Sequence, residues 1–119
     1  MNFAERFEDL NVWKRSREFV NIIYDMTAEC RDFEFRDQIR SAALSVMNNI
    51  AEGFERRTKK DFAHFLDLAK GSAGEVRSML YLAEDRKYVN PTFAFEIREQ
   101  YSKLSSSIGS LASKLRNPR

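Results

Sequence analysis

The stretch Gln38–Arg57, QIRSAALSVMNNIAEGFERR, limits the folds open to this chain more than any other. Its apolar and small residues, Ile39, Ala42, Ala43, Leu44, Val46, Met47, Ile50, Ala51 and Phe54, follow a helical period and sweep an arc of about 200°. A helix on the outside of one bundle needs a stripe only a little wider than ~100°. This helix therefore calls for cover on two sides, one from its own chain and one from a second copy. Four glycines and two prolines in 119 residues favour long helices over short strands joined by tight turns, so the fold class is all-α.

The other segments repeat the pattern. Residues 1–11, with Phe3, Phe7 and Leu10, read as a lead-in that packs on the bundle. Val12, Trp13, Phe19, Val20, Ile22, Ile23, Tyr24 and Met26 give helix one an apolar arc as wide as that of helix two. A charged turn from Thr27 to Asp32 leads to helix two, which begins near Phe33, and Gly53 could close it in a positive-φ cap. Thr58 followed by Asp61 approximates a capping box that opens helix three. That helix carries Phe62, Phe65, Leu66, Ala69, Ala73, Val76, Leu80 and Ala83 on one narrow stripe, and Gly71 and Gly74 thin its middle for close approach. Asn90 caps helix four with Pro91 at its first position, and Phe93, Ile97, Tyr101, Leu104, Ile108, Leu111, Ala112 and Leu115 form its stripe. Four helices with short connections pack as antiparallel neighbours, up-down-up-down, in a single domain over residues 1–119. The wide arcs place self-association on helices one and two.

A composition of 43% hydrophobic and 32% charged residues is that of a folded, helical protein. No apolar run reaches the ~20 residues of a membrane span, and charges interrupt the start where a signal peptide would be apolar; a cytoplasmic location without membrane contact is expected. The one cysteine, Cys30, cannot form an internal disulfide and reads as an ordinary thiol.

The net charge of +2 hides a dipolar distribution. In an up-down bundle, Lys14, Arg15 and Arg17, then Arg56, Arg57, Lys59 and Lys60, then Lys114, Arg116 and Arg119 converge at one end. Asp25, Glu29, Asp32, Glu34, Asp37, Glu84 and Asp85 gather at the other. Around a ring of subunits the basic end becomes a rim suited to RNA or DNA, with Arg40, Arg56, Arg57, Lys59 and Lys60 as the leading phosphate contacts and Lys14, Arg15 and Arg17 beside them. The other reading of the same charges is a set of solvated helix ends that complement dipoles. No helix-turn-helix or zinc-finger spacing points to sequence-specific DNA reading.

Asp61, His64 and Asp67 share a face of helix three but lie off its apolar stripe, and there is no Glu-x-x-His pair of the kind di-metal bundles use. With no phosphate loop or nucleophile elbow either, the chain is expected to be non-catalytic and to need no cofactor or metal. Ser45, Asn49 and Glu52 on helix two, with Ser72 and Glu75 on helix three, are expected to form a hydrogen-bonded polar layer that fixes helix register. Trp13, Phe19, Phe54, Phe62 and Phe65 read as core rather than as a base-stacking platform.

Phe7-x-x-Leu10-x-Val12-Trp13, Gln38-Ile39-Arg40-x-Ala42, Asn49-Ile50-Ala51-Glu52-Gly53 and Ala69-x-Gly71-Ser72-x-x-Glu75, in that order, resemble the four-helix-bundle proteins called 23S ribosomal RNA intervening-sequence proteins. Ser41 stands where that family often has a second arginine. The chain is also similar to the accessory subunit of diversity-generating retroelements, a basic pentamer. The resemblance implies a left-handed bundle assembled as a pentameric ring, in contact with nucleic acid or with a protein that processes it. A protein-binding adaptor that makes no nucleic-acid contact is the alternative the residues leave open.

Overall fold

Helix-forming sequence separated by brief breaks produces four helices in the computed structural model, which describes residues 4–117: α1 Asn11–Met26, α2 Phe33–Phe54, α3 Lys59–Asp85 and α4 Pro91–Arg116. A short 3-10 turn, Phe7–Asp9, precedes them, and there is no strand among the described residues. The expectation that Phe3 packs on the bundle, like those for Pro118 and Arg119, lies outside the described residues. Within the lead-in, Leu10 is buried and the Phe7 ring meets Trp13 edge-on at 5.1 Å.

The helix starts obey their local chemistry. Thr58 Oγ1 accepts the Asp61 amide at 3.0 Å, and Asn90 Oδ1 accepts the amides of Thr92 at 2.7 Å and Phe93 at 3.3 Å. Asp32 caps α2 by accepting the Phe35 amide at 3.1 Å and also accepts the Tyr88 hydroxyl at 2.6 Å, so the link between α3 and α4 is tied to the start of α2. The α3 terminus is a Schellman arrangement, with Tyr88 N–H on Ala83 O at 2.8 Å and Lys87 N–H on Glu84 O at 3.1 Å. Lys87 takes the left-handed position there, at φ 62°.

Gly53 does not end α2 in a positive-φ cap. It lies inside the last turn, buried, where an added Cβ would stand 2.6 Å from Phe65 Cβ and 3.0 Å from Phe62 Cδ1. Its job is to let the end of α2 press against the start of α3. Gly71 and Gly74, expected to allow close approach, face open space, with nothing within 4 Å of an added Cβ.

Side-chain contacts join each helix to the next. Arg40 in α2 reaches Tyr24 and Thr27 beside α1; Gln38 and Ser45 in α2 meet Glu75 and Ser72 in α3; Arg98 in α4 meets Glu84 and Tyr81 in α3. α4 closes back on α1 through the Phe19–Tyr101 ring pair, at 5.0 Å, and through Arg15 to Ser107. The core runs along the axis with Ile23, Ile39, Val46, Ile50, Leu66, Val76, Leu80, Leu104 and Ile108 fully covered. Extents of 46 × 20 × 19 Å follow from it, since α3 alone rises about 40 Å.

The surplus of apolar surface is not confined to α1 and α2. Leu44, Met47 and Phe54 on α2, and Trp13, Ile22 and Met26 on α1, are half-buried against the chain's own core, leaving Tyr24 and Phe33 exposed. Leu68, Tyr81, Leu82 and Phe95, which the narrow stripes omit, are exposed on α3 and α4. Ser105 on α4 is buried, and its Oγ and the Tyr101 hydroxyl have no hydrogen-bond partner among the described residues. Burial pushes the Tyr101 phenol above its usual range.

Candidate nucleic-acid interface

The expected basic residues fall into separate groups. At the α2–α3 junction Arg56, Arg57, Lys59 and Lys60 are all exposed within one turn of chain. Arg56 pairs with Glu52 at 3.2 Å and lies 4.6 Å from the centre of the Phe65 ring. Arg57, Lys59 and Lys60 make no ion pair among the described residues. Lys14 and Arg17 line a shallow hollow on α1 with Trp13, whose ring centre is 5.8 Å from the Arg17 guanidinium. Arg15 turns instead to α4 and donates to Ser107 Oγ at 3.2 Å. Arg116 at the close of α4 is paired with Asp67, whose carboxyl is held below the usual range by that hydrogen bond. Lys114 is exposed nearby, and Arg119 lies outside the described residues.

Arg40 is not part of the basic end. It lies fourteen residues, about 21 Å of axial rise, before the end of α2 at Phe54, and Arg56 stands beyond that end. It is half-buried beside the α1–α2 turn, where Nε donates to Thr27 Oγ1 at 2.8 Å and Nη2 to Tyr24 O at 3.3 Å, with the guanidinium 4.3 Å from the Tyr24 ring centre. The far end is also less acidic than its Asp and Glu residues suggest. Asp37 is paired with Arg36 at 2.9 Å and Glu84 with Arg98 at 3.0 Å, so basic partners on the same helices or their neighbours neutralise much of it.

The polar layer forms in part, and on the surface. Ser45 and Ser72 share a hydrogen bond of 2.8 Å, Asn49 Nδ2 donates to Ser45 O and Oγ at 2.9 Å each, and Gln38 Nε2 donates to Glu75 Oε2 at 2.8 Å. These bonds do link α2 to α3. Ser45, Asn49 and Ser72 are only half-buried, Glu75 is exposed, and Glu52 turns away to Arg56. The apolar neighbours Val46 and Ile50 point inward, which leaves this row facing an open groove of about 660 Å³ along α2. Residue types alone could not separate a buried layer from a groove floor, because serine and asparagine suit both.

The Asp61, His64 and Asp67 triplet is exposed, Asp67 is engaged by Arg116, and no group of three His, Cys, Asp or Glu among the described residues could hold a metal ion. Cys30 is half-buried, with Sγ 3.7 Å from Asp32 O. Phe19 and Phe62 are core, as their spacing implies, whereas Trp13, Phe54 and Phe65 are half-buried. Tyr24 and Phe65, the rings beside Arg40 and Arg56, carried no signal beyond their apolar period. No helix among the described residues is long and apolar enough to cross a membrane.

Four helices around one core, with this charge placement, meet a family model described as 23S rRNA-intervening sequence protein, which matches residues 8–110. The chain belongs to that family. Among solved structures, the intervening-sequence chain is similar to a protein of unknown function from the S23 ribosomal protein family of Bacteroides thetaiotaomicron, with a TM-score of 0.79 and 24% identity. The likeness covers 85% of this chain and 97% of that one and shows a shared fold. No curated protein matches this intervening-sequence family member.

Proposed function

We propose that this intervening-sequence protein is a non-catalytic scaffold that contacts RNA or DNA phosphates through the α2–α3 junction. The reading takes the bundle as antiparallel, up-down-up-down and left-handed, and the working form as a homo-oligomeric, pentameric ring in the cytoplasm. The observation that carries it is the placement of Arg57, Lys59 and Lys60, exposed and without ion pairs, at the opening of α3. A helix start already has a positive dipole end and free amides, so cations there oppose stability and favour an anion. Lys14 and Arg17 add a second contact on α1.

The test is the affinity for a 30-base-pair duplex and for a single-stranded oligonucleotide as salt is raised. Phosphate contact gives a log–log slope of about −0.9 per phosphate neutralised on duplex and about −0.7 on single strands. Replacing Arg57, Lys59 and Lys60 together by alanine flattens the slope by about 2–3 on duplex. Absence of binding at low salt would falsify the proposal.

A further inference from the structure

Arg40 is a half-buried cation with no counter-ion: among the described residues no carboxylate lies within salt-bridge distance of it. Taking a charge part-way out of water without neutralising it costs stability, so a chain that holds one there has spent binding groups to do so. Three contacts hold it: the Thr27 hydroxyl, the Tyr24 carbonyl and the Tyr24 ring. All three are neutral. They fix the plane of the guanidinium and use two of its five N–H groups, leaving a positioned fork with its charge intact.

This fork lies at one end of the α2 groove, whose floor continues through Ser41, Ser45, Asn48 and Asn49 to Arg56, already paired with Glu52. Arg56 is paired with Glu52 and Asp37 with Arg36, so among the described residues Arg40 is the one cation lining the groove without an ion pair. A strand with a phosphate on every nucleotide would find one unpaired cation along the groove and release few counterions. A segment carrying one carboxylate would gain the Arg40 fork and find hydroxyls and amides for its remaining polar groups.

We infer that the α2 groove docks a polypeptide segment that sets a single carboxylate on Arg40. The groove follows α2 from Arg40 to Glu52, about 18 Å of axial rise, which suits about twelve residues of helix. The Arg40 fork is at the opposite end of the groove from the basic junction, which the groove reaches only at Arg56, and its test stands whether or not nucleic acid binds there.

The experiment is NMR on the full-length, nitrogen-15-labelled chain, following the Arg40 Nε–H and the amides of Ser41, Ser45 and Asn48. The probes are N-acetyl-glutamate N-methylamide, the glutamine analogue as its uncharged twin, and a twelve-nucleotide oligouridylate. The glutamate probe is expected to shift these signals saturably, and the glutamine twin to shift them at least five-fold less at equal concentration. Arg40→Lys, which keeps the charge and loses the fork, should weaken the glutamate response at least three-fold. Equal responses to glutamate and glutamine overturn the carboxylate site. Saturable shifts of the Arg40 signal by oligouridylate, matching those at Lys59 and Lys60, overturn the choice of a polypeptide over a polyanion.

Discussion

Two single residues carry more of this fold than their size suggests. At Gly53 α2 lies tight against α3, and the atom an alanine would strike, Phe65 Cβ, is bonded to the backbone and cannot swing aside. Gly53→Ala should therefore destabilise the chain by about 1–3 kcal/mol, the usual cost of overpacking, read as a lower denaturation midpoint at unchanged slope. Lys87 is the opposite case. It holds a left-handed conformation that a side chain disfavours by roughly 1–2 kcal/mol, and the Schellman bonds around it keep it there. Lys87→Gly should stabilise by about 0.5–1 kcal/mol after the greater chain entropy of glycine in the unfolded state is subtracted, measured by the same denaturant titration.

At the scale of elements, the start of α3 sets the proposed phosphate contact against stability. Lys59 is its first residue and opposes the helix dipole. Lys59→Glu should raise folding stability by about 0.3–1 kcal/mol and weaken oligonucleotide binding at low salt; a variant that gains stability with unaltered binding would remove this residue from the interface. The start of α2 responds to pH through Asp32 and Tyr88. The hydrogen bond from Tyr88 lowers the Asp32 carboxyl below 3.8 and raises the Tyr88 phenol above 10.0. The depressed acid contributes stability that is complete above its unfolded value and lost as pH falls through the folded one. The raised phenol contributes stability complete below its unfolded value and lost as pH rises through the folded one. Between about pH 5 and pH 9 the wild type should melt above Tyr88→Phe by a constant margin that closes toward pH 3 and again above pH 10, seen by circular dichroism. Sequence made the caps and the core periods legible because Thr58, Asn90 and the i, i+3, i+4 apolar positions act locally. It could not show that Gly53 meets Phe65, that Arg40 leans on α1, or that Ser45 and Asn49 open to a groove, since each depends on the neighbour a second helix brings.

For the whole molecule, the question is what covers the apolar side chains a lone chain leaves in water. Tyr24 and Phe33 on one pair of helices and Leu68, Tyr81, Leu82 and Phe95 on the other are spread over more than one face. A closed ring uses two unlike faces of every subunit, because each copy presents one surface to the copy before it and another to the copy after it. Exposure on both helix pairs suits that heterologous contact better than a two-fold dimer through α1 and α2 alone. For the proposed pentamer, light scattering should give about 70 kDa, five chains of 14.0 kDa, and not twice the chain mass. The proposed ring would also change how phosphate contact reads out. On a duplex long enough to touch several subunits, the salt slope exceeds that of one junction because each added subunit releases its own counterions. Leu82→Glu, placed on an exposed position of α3, should lower the mass toward 14.0 kDa while leaving the helical signal intact. Its slope should fall with the mass; a slope unchanged on dissociation would mean that one junction makes all the contacts and that the ring serves something other than polyanion binding.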